Sequence, residues 1–384
     1  MSRIVNGVAY ISLGLKYPQC NLMNIPWSTV LYFFGFGLYT MDIVTDISLF
    51  VNYIKNGQYL WGGMTMMFVV TGTLSTQPFS YVWYRDDDEE PKTLQAGLAV
   101  HLFGLGTIFR YYHLLKESCR VHRTTANSLT TERTGTEHNL LFGMATDLCM
   151  LKMFEAFLES VPQILLQLYI IHDQNEGFFH QCKNINVAYT LMDFRVCLCR
   201  SLPHARQKPS VPSRLVYLFY KLFTITSHIL SYSLLLTLSV YSMVALTVLW
   251  LLMTVWVHFL KTDFCTSKGL EFFYRVIVGF ILVFTFFNVK GQDTGLAMTV
   301  YYMLYAIINI IAPILSIFLV PELQTRVFLC ITCVIGGTTI LGFMCLILYY
   351  YYLHPRGMQR EPDEVDGLDT KAKATRRMRR FLQP

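Results

Sequence analysis

The sequence predicts an all-α polytopic membrane protein, and three observations favour that class. Hydrophobic residues make up 53% of the 384 residues, charged residues only 15%, and the mean hydropathy is +0.40. Apolar stretches of about 20 residues, enough for a helix to cross a bilayer, recur along the chain. The ten cysteines lie mostly in or beside these stretches, which argues against a disulfide framework.

Eight segments are predicted to cross the membrane as helices. They are 27–54, 58–84, 147–171, 182–200, 215–239, 241–260, 297–319 and 327–353. Two stretches, 94–116 and 268–290, are shorter or more interrupted, and we expect them to cross the membrane or to enter it only partly, which is tolerated where protein or water covers the backbone. The order of hairpin, single helix and hairpin occurs twice, which indicates two pseudo-repeats of a kind common in transport proteins.

The distribution of lysine and arginine predicts the orientation of the chain. The loops 116–146 and 200–214 and the segment after His354 are basic, whereas the loops on the opposite side are short and carry few positive charges. Because basic loops stay in the cytosol, both termini are predicted to be cytosolic. The predicted divisions are an N-terminal extension (1–26), an N-terminal membrane repeat (27–200), a basic linker (201–214), a C-terminal membrane repeat (215–353) and a flexible tail (354–384).

The segment 147–171 carries charges that a membrane helix normally lacks. Steps of three or four residues put Lys152, Glu155, Glu159 and Gln163 on one helical face. A charge at the bilayer centre costs about 2.5–3.5 kcal/mol on insertion scales, so such residues usually face a bundle interior or a wet cavity. Pro162 removes a backbone donor beside these charges and predicts a kink. The pattern favours a polar track inside the membrane, and the alternative is a set of interhelical salt bridges that hold the bundle together.

Further charges lie in other predicted membrane segments. Asp42 and Asp46 are four residues apart and share a face of the first span. Arg110, Lys152 and Arg275 are candidate counter-charges. Paired carboxylates also occur in hydrolases, but the sequence contains neither a His-Glu-x-x-His helix nor a Gly-x-Ser-x-Gly elbow. We therefore predict that the chain is not an enzyme, and we predict no metal or cofactor site and no nucleic-acid partner.

The tail contains a candidate protease site. Residues Asp363, Glu364, Val365, Asp366 and Gly367 form the sequence that executioner caspases prefer, with cleavage after Asp366. A segment rich in proline, glycine and charge surrounds it, and such a segment is accessible to proteases. The alternative interpretation is a solvated acidic patch. Cleavage would release a basic peptide with an apolar end, which suits an anionic lipid surface or an acidic cytosolic cavity; its candidate inhibitory residues are Arg376, Arg377, Arg379, Arg380, Phe381 and Leu382.

With these residues, the chain resembles the XK-related family of membrane proteins from about residue 20 to the C-terminus. The matching segments include Phe154-Glu-Ala-Phe-Leu-Glu-Ser-Val-Pro-Gln163, Glu271-Phe-Phe-Tyr-Arg275, Arg200-Ser-Leu-Pro203 and Tyr217-Leu-Phe-Tyr-Lys-Leu-Phe223. The segment 182–192 departs from the family, being shorter and more polar. The resemblance implies eight spans with two partly inserted helices, and intramembrane charges at Asp42, Asp46, Asp147, Glu155, Glu159, Asp193 and Arg275.

The resemblance also implies a function: a caspase-activated phospholipid scramblase of the plasma membrane that exposes phosphatidylserine on dying cells as an engulfment signal. The expected partners are membrane phospholipids and executioner caspases, and a single-span escort protein is left open. Scrambling needs no ATP, and the sequence has no Walker A loop.

Our mechanistic hypothesis is that the intramembrane charges form a hydrated path for lipid headgroups while the acyl tails stay in the bilayer. The residues of this path or charge network are Asp42, Asp46, Arg110, Asp147, Lys152, Glu155, Glu159, Asp193, Glu271 and Arg275. Two other classes of function use the same charges: an ion channel or solute transporter, and a non-transporting adaptor or chaperone subunit.

Overall fold

The computed structural model describes residues 27–87, 91–127, 131–174, 211–262, 264–265, 267–287, 295–319 and 326–353. These residues form α-helices and two short π-helical segments, and the described ranges contain no β-strand. We number the described helices α1 (Trp27–Lys55), α2 (Tyr59–Asp87), α3 (Pro91–Leu102), α4 (Gly106–Asn127), α5 (Thr131–Glu155), α6 (Val161–Gln174), α7 (Val211–Leu238), α8 (Val240–Phe259), α9 (Lys268–Phe284), α10 (Gly295–Leu319) and α11 (Arg326–Leu348). The predicted all-α class is confirmed.

In the part of the chain that the structure describes, five helices are long and apolar enough to cross a membrane. They lie at Tyr32–Lys55, Pro212–Leu238, Tyr241–Phe259, Gly295–Leu319 and Phe328–Leu353, and each coincides with a predicted span. Two further predicted spans, 58–84 and 147–171, are helical at sufficient length. Polar side chains lower the hydropathy of the first, and charged and polar side chains lower that of the second. The remaining predicted span, 182–200, lies outside the described residues.

Each of the two interrupted stretches contains a helix that is short for a membrane crossing. The first is divided between α3 and α4 at Gly104, whose φ of +74° favours glycine. Gln77 of α2 holds this break, because its Oε1 accepts from the Gly106 N–H at 3.1 Å and its Nε2 donates to the Gly104 carbonyl at 3.4 Å. With 12 residues in α3 and 17 in α9, each is shorter than the roughly 20 residues that a crossing needs.

The segment from α5 to α6 lies at the centre of the described fold. It packs against α2, α4, α7 and α9, and most side chains from Ala145 to Ile170 are buried. Between the two helices, Ala156–Ser160 is π-helical, and the Val161 N–H donates to the Ala156 carbonyl. Pro162 follows immediately and cannot donate to the Leu158 carbonyl. Beside the carboxylates, where a kink is predicted, the helix therefore contains a π-turn.

Candidate functional site

A small pocket lies between α1 and the junction of α5 with the π-turn. We call it the acidic pocket, and it is lined by Tyr39, Asp42, Ile43, Lys152, Glu155, Ala156 and Glu159. Its three carboxylates outnumber its single lysine. Glu155 is 8% exposed and Glu159 only 5%. The pocket therefore gathers acidic side chains in a place from which water is largely excluded.

Helical spacing brings these residues together. On α1, Tyr39, Asp42 and Asp46 recur at steps of three and four residues and so share one face. On the central helix, Lys152, Glu155 and Glu159 recur in the same way. The two faces meet at a hydrogen bond in which the Ser160 hydroxyl donates to Oδ2 of Asp42 at 3.1 Å. The predicted polar track on segment 147–171 and the predicted aspartate pair of α1 thus form one site.

The carboxylates of the site are very close to one another. One oxygen each of Asp42, Asp46 and Glu159 lies within 4.8 Å of the other two, a spacing at which a metal ion could be held. The Tyr39 hydroxyl donates to Oε1 of Glu155 at 3.4 Å. Oε2 of Glu155 and Oε2 of Glu159 are buried without a hydrogen-bond partner among the described residues. The site is therefore suited to attract a cationic group, a proton or water.

Two aromatic side chains connect α1 and α4 to these charges. The rings of Tyr39 and Tyr111 are 5.7 Å apart, and the Lys152 ammonium lies 5.5 Å from the centre of the Tyr111 ring. A cation at this distance from an aromatic face is attracted by its quadrupole. Lys152 is thus held between the carboxylates and an aromatic wall.

Gly72 of α2 allows the π-turn to approach closely. A Cβ atom at this position would lie 2.6 Å from the Cβ of Glu159 and 2.7 Å from its Oε2, distances that no side chain could accept without movement. The absence of a side chain at Gly72 therefore determines how deeply the Glu159 carboxylate is buried between α2 and α1.

Arg110 and Asp147 form a second charged pair. Arg110 Nη1 lies 4.0 Å from Asp147 Oδ2, and its Nε and Nη2 donate to the hydroxyl and the carbonyl of Ser80, each at 2.9 Å. Asp147 precedes Glu155 by two helical turns, or roughly 12 Å along the axis. The structure thus pairs Arg110 with Asp147, another predicted intramembrane acid, about two turns along the central helix from Glu155.

Glu271 and Arg275 belong to a separate network that joins α8 to α9. Glu271 accepts from the Thr262 hydroxyl at 2.5 Å and from the N–H groups of Phe264 and Cys265 at 2.9 and 2.7 Å. Arg275 Nε lies 3.4 Å from Glu271 Oε1. The structure therefore does not bring Arg275 to the carboxylates of α1 and α5, because its partners are the neighbouring turn and its own helix.

Other predicted site residues lie outside the described residues and stay predictions. They are Asp193, the caspase sequence at Asp363, Glu364, Val365, Asp366 and Gly367, and the inhibitory tail residues Arg376, Arg377, Arg379, Arg380, Phe381 and Leu382.

Sequence reasoning missed Tyr39, Gly72, Tyr111 and Ser160. Tyr39 lies one helical turn before Asp42 and Ser160 follows Glu159, so face-sharing with known acids was the available signal. The chain has 24 tyrosines and 23 glycines, which is why the composition did not single out these positions. Lys221 was also missed as a buried charge. It is 2% exposed and donates to the Thr285 hydroxyl at 3.0 Å and the Phe286 carbonyl at 2.8 Å.

The sequence is similar to known proteins over almost its whole length. A family model described as XK-related protein matches residues 30–355. The chain is 46% identical over 368 residues to XK-related protein 9 of Tetraodon nigroviridis, an alignment that covers 91% of this chain and 96% of that protein. It is 29% identical over 371 residues to XK-related protein 8 of Pan troglodytes, with 89% of this chain and 90% of that protein covered.

Proposed function

The chain belongs to the XK-related family, and from this membership and the acidic pocket we propose that it is a phospholipid scramblase. It is a multi-pass helical membrane protein. In our proposal it lets phospholipids, phosphatidylserine among them, pass between the leaflets of the plasma membrane without ATP, and the exposed phosphatidylserine marks an apoptotic cell for engulfment. Its role is transport and not catalysis.

The observation that carries this proposal is the acidic pocket. Four carboxylates, Asp42, Asp46, Glu155 and Glu159, lie in or beside it, and the described residues bring only Lys152 to its wall. On insertion scales, four acids within a membrane cost roughly 10 kcal/mol. A polar path that accompanies a headgroup through the bilayer requires such groups, whereas a bundle of helices gains little stability from them.

We propose that the tail regulates this path. In the uncut protein the basic segment after Asp366 would be held at the cytosolic face and would stabilise a closed state. Cleavage by an executioner caspase would turn a tethered ligand into a free one and shift the equilibrium toward the open state. Both termini would then be cytosolic, as the basic loops indicate.

The test is phosphatidylserine exposure in scramblase-deficient cells that express this chain or its Asp366→Ala variant. After a caspase stimulus, we expect exposure with the native chain and none with the variant, while both reach the cell surface in equal amounts. Equal exposure with both would overturn the caspase switch but not the scramblase. No exposure with a native chain that reaches the surface and is cleaved would overturn the scramblase proposal.

A second candidate function, cation transport, is favoured by one observation. The oxygens of Asp42, Asp46 and Glu159 lie close enough together to hold a cation. The two functions are distinguished in vesicles that contain the cleaved protein, in which lipid exchange and cation flux are measured on the same preparation. Cation flux without lipid exchange would favour the transporter.

A further inference from the structure

We propose that the acidic pocket is a binding site for the ammonium group of phospholipid headgroups, the group that choline, ethanolamine and serine headgroups share. This inference deepens the proposed function and rests on it in so far as the bound lipid is also the transported one. It assigns the recognition to Glu155, Glu159 and Tyr39. It also predicts a preference among lipids that net charge does not explain.

The first support is the state of two carboxylates. Glu155 and Glu159 are each more than nine-tenths buried and line the pocket. Oε2 of each has no hydrogen-bond partner among the described residues. A buried carboxylate oxygen without a donor is costly, and a bound ammonium group removes that cost by charge-assisted hydrogen bonds or by close electrostatic contact.

The second support is the aromatic side of the pocket. Tyr39 lines it and packs against Tyr111. The Lys152 ammonium lies 5.5 Å from the centre of the Tyr111 ring, so the aromatic ring that lines the pocket for a ligand is that of Tyr39. Aromatic rings combined with carboxylates are the usual environment for ammonium ligands, since the ring face attracts cations.

The third support is the charge of the pocket. The lining carboxylates Asp42, Glu155 and Glu159 outnumber Lys152, so the pocket repels the phosphate and attracts the ammonium end of the same headgroup.

The test compares phosphatidylserine with phosphatidylglycerol. Both lipids carry one net negative charge, but only phosphatidylserine has an ammonium group. The full chain, cut by a caspase and also uncut, is reconstituted in vesicles with trace amounts of either lipid labelled on an acyl chain. We expect phosphatidylserine to exchange about tenfold faster, the ratio that corresponds to about 1.4 kcal/mol. Equal exchange rates of the two lipids would overturn the proposal.

The Glu155→Gln/Glu159→Gln variant identifies the site. It keeps the shape of both side chains and removes their charges, and we expect the ratio of the two exchange rates to fall toward one. Glu117→Gln is the matched control, because Glu117 is an acid outside the pocket that pairs with the exposed Arg120. The control should keep the native ratio. A double variant that also keeps the native ratio would contradict the assignment.

Lipid retention separates failure of this inference from failure of the proposed function. The native chain and the double variant are purified in detergent with equal amounts of the two lipids, and the retained lipids are counted by native mass spectrometry. Selective retention of phosphatidylserine without exchange in vesicles would support the site and overturn the scramblase. Lipid exchange without selective retention of phosphatidylserine would overturn the proposed ammonium site and support the scramblase.

A metal chelator distinguishes an ammonium group from a metal ion as the bound cation. Exchange and retention are measured with and without the chelator, and we expect no change in the preference for phosphatidylserine. If chelation abolished the preference and added calcium restored it, the carboxylates would be holding a metal ion, and the proposal would be wrong.

Discussion

At the residue scale, Glu155 and Glu159 differ from Glu271 in how their oxygens are used. The Glu271 carboxylate accepts three hydrogen bonds and pairs with Arg275, as a structural acid does. Glu155 and Glu159 are equally buried, but each keeps one oxygen without a partner among the described residues. The alternative interpretation is that the central acids form salt bridges that hold the bundle together. It explains the pair of Arg110 and Asp147 better than it explains Glu155 and Glu159.

Gly72→Ala tests the close approach of α2 to Glu159. The added methyl group would meet the Glu159 side chain at 2.6 Å, so we expect the free energy of unfolding to fall by about 1–3 kcal/mol, as for other overpacked cores. Lipid exchange should fall with it, because the Glu159 carboxylate must move. Thermal unfolding in detergent and vesicle exchange are the measurements.

Gly63→Ala is the matched control on the same helix. A Cβ atom at Gly63 would have no heavy atom within 4 Å, so this variant should be as stable as the native chain or gain up to about 1 kcal/mol in helix propensity. Equal behaviour of the two variants would show that the approach at Gly72 does not constrain Glu159.

The sequence predicts the charged residues of the site and not the groups that position them. An ionised side chain in an apolar stretch stands out because its insertion is costly, which is why Asp42, Asp46, Glu155 and Glu159 could be identified. Tyr39 and Gly72 cost nothing in a membrane helix and are common residue types there. Their roles depend on which helix lies opposite, and this information is absent from local spacing.

At the element scale, irregular helices position the charged groups. The π-turn at Ala156–Ser160 places Glu159 and Ser160, and π-turns often occur at functional sites. The break at Gly104 is held by Gln77. Glu271 fixes the turn between α8 and α9 by accepting from its backbone. Each irregularity removes regular helical hydrogen bonds from some backbone groups. A nearby polar side chain or a shifted backbone hydrogen bond then satisfies those groups.

Glu271→Gln tests the turn between α8 and α9. The variant leaves Arg275 without its acid and weakens the bonds to the N–H groups of Phe264 and Cys265. Because one partner of a buried pair is lost, we expect the free energy of unfolding to fall by about 3–5 kcal/mol. Hydrogen exchange at Phe264 and Cys265 should accelerate.

Lys268→Gln, on the exposed first turn of the same helix, is the control and should leave both measurements unchanged. Unchanged exchange at Phe264 and Cys265 in Glu271→Gln would mean that the carboxylate does not hold the turn.

Helix positions follow from the sequence more directly than helix partners do. Apolar runs predict the helices of the membrane segments, and charged residues within the runs identify the two interrupted stretches. The pairing of Glu271 with Arg275 was visible as an i, i+4 spacing, yet Arg275 was also considered as a counter-charge for the core acids. Only the packing of α9 against α8 shows which partner it meets.

At the scale of the whole molecule, the fold brings Leu353 to the start of α7. The Ser213 hydroxyl at the start of α7 donates to the Leu353 carbonyl, the last described residue, at 3.3 Å. The start of α7 and the end of the last described segment therefore meet at one end of the described helices. The proposed regulation would act from this end.

Adding back the released peptide, residues 367–384, tests regulation by effective concentration. A short flexible tether gives an effective concentration on the order of millimolar, so we expect the free peptide to inhibit the cleaved protein only at roughly that concentration. A peptide with alanine at Arg376, Arg377, Arg379 and Arg380 should not inhibit. Inhibition by nanomolar peptide would contradict the model, since cleavage could not then release the tail.

The central claim is that the buried acids of α1 and of the central helix form a path for lipid headgroups. Its most direct test measures phosphatidylserine exchange in vesicles that contain either the cleaved native chain or its Glu155→Gln/Glu159→Gln variant. We expect the variant to be at least about tenfold slower, equivalent to about 1.4 kcal/mol, while its thermal stability is equal or higher because buried charges have been removed. Exchange at the native rate by a stably folded variant would contradict the claim.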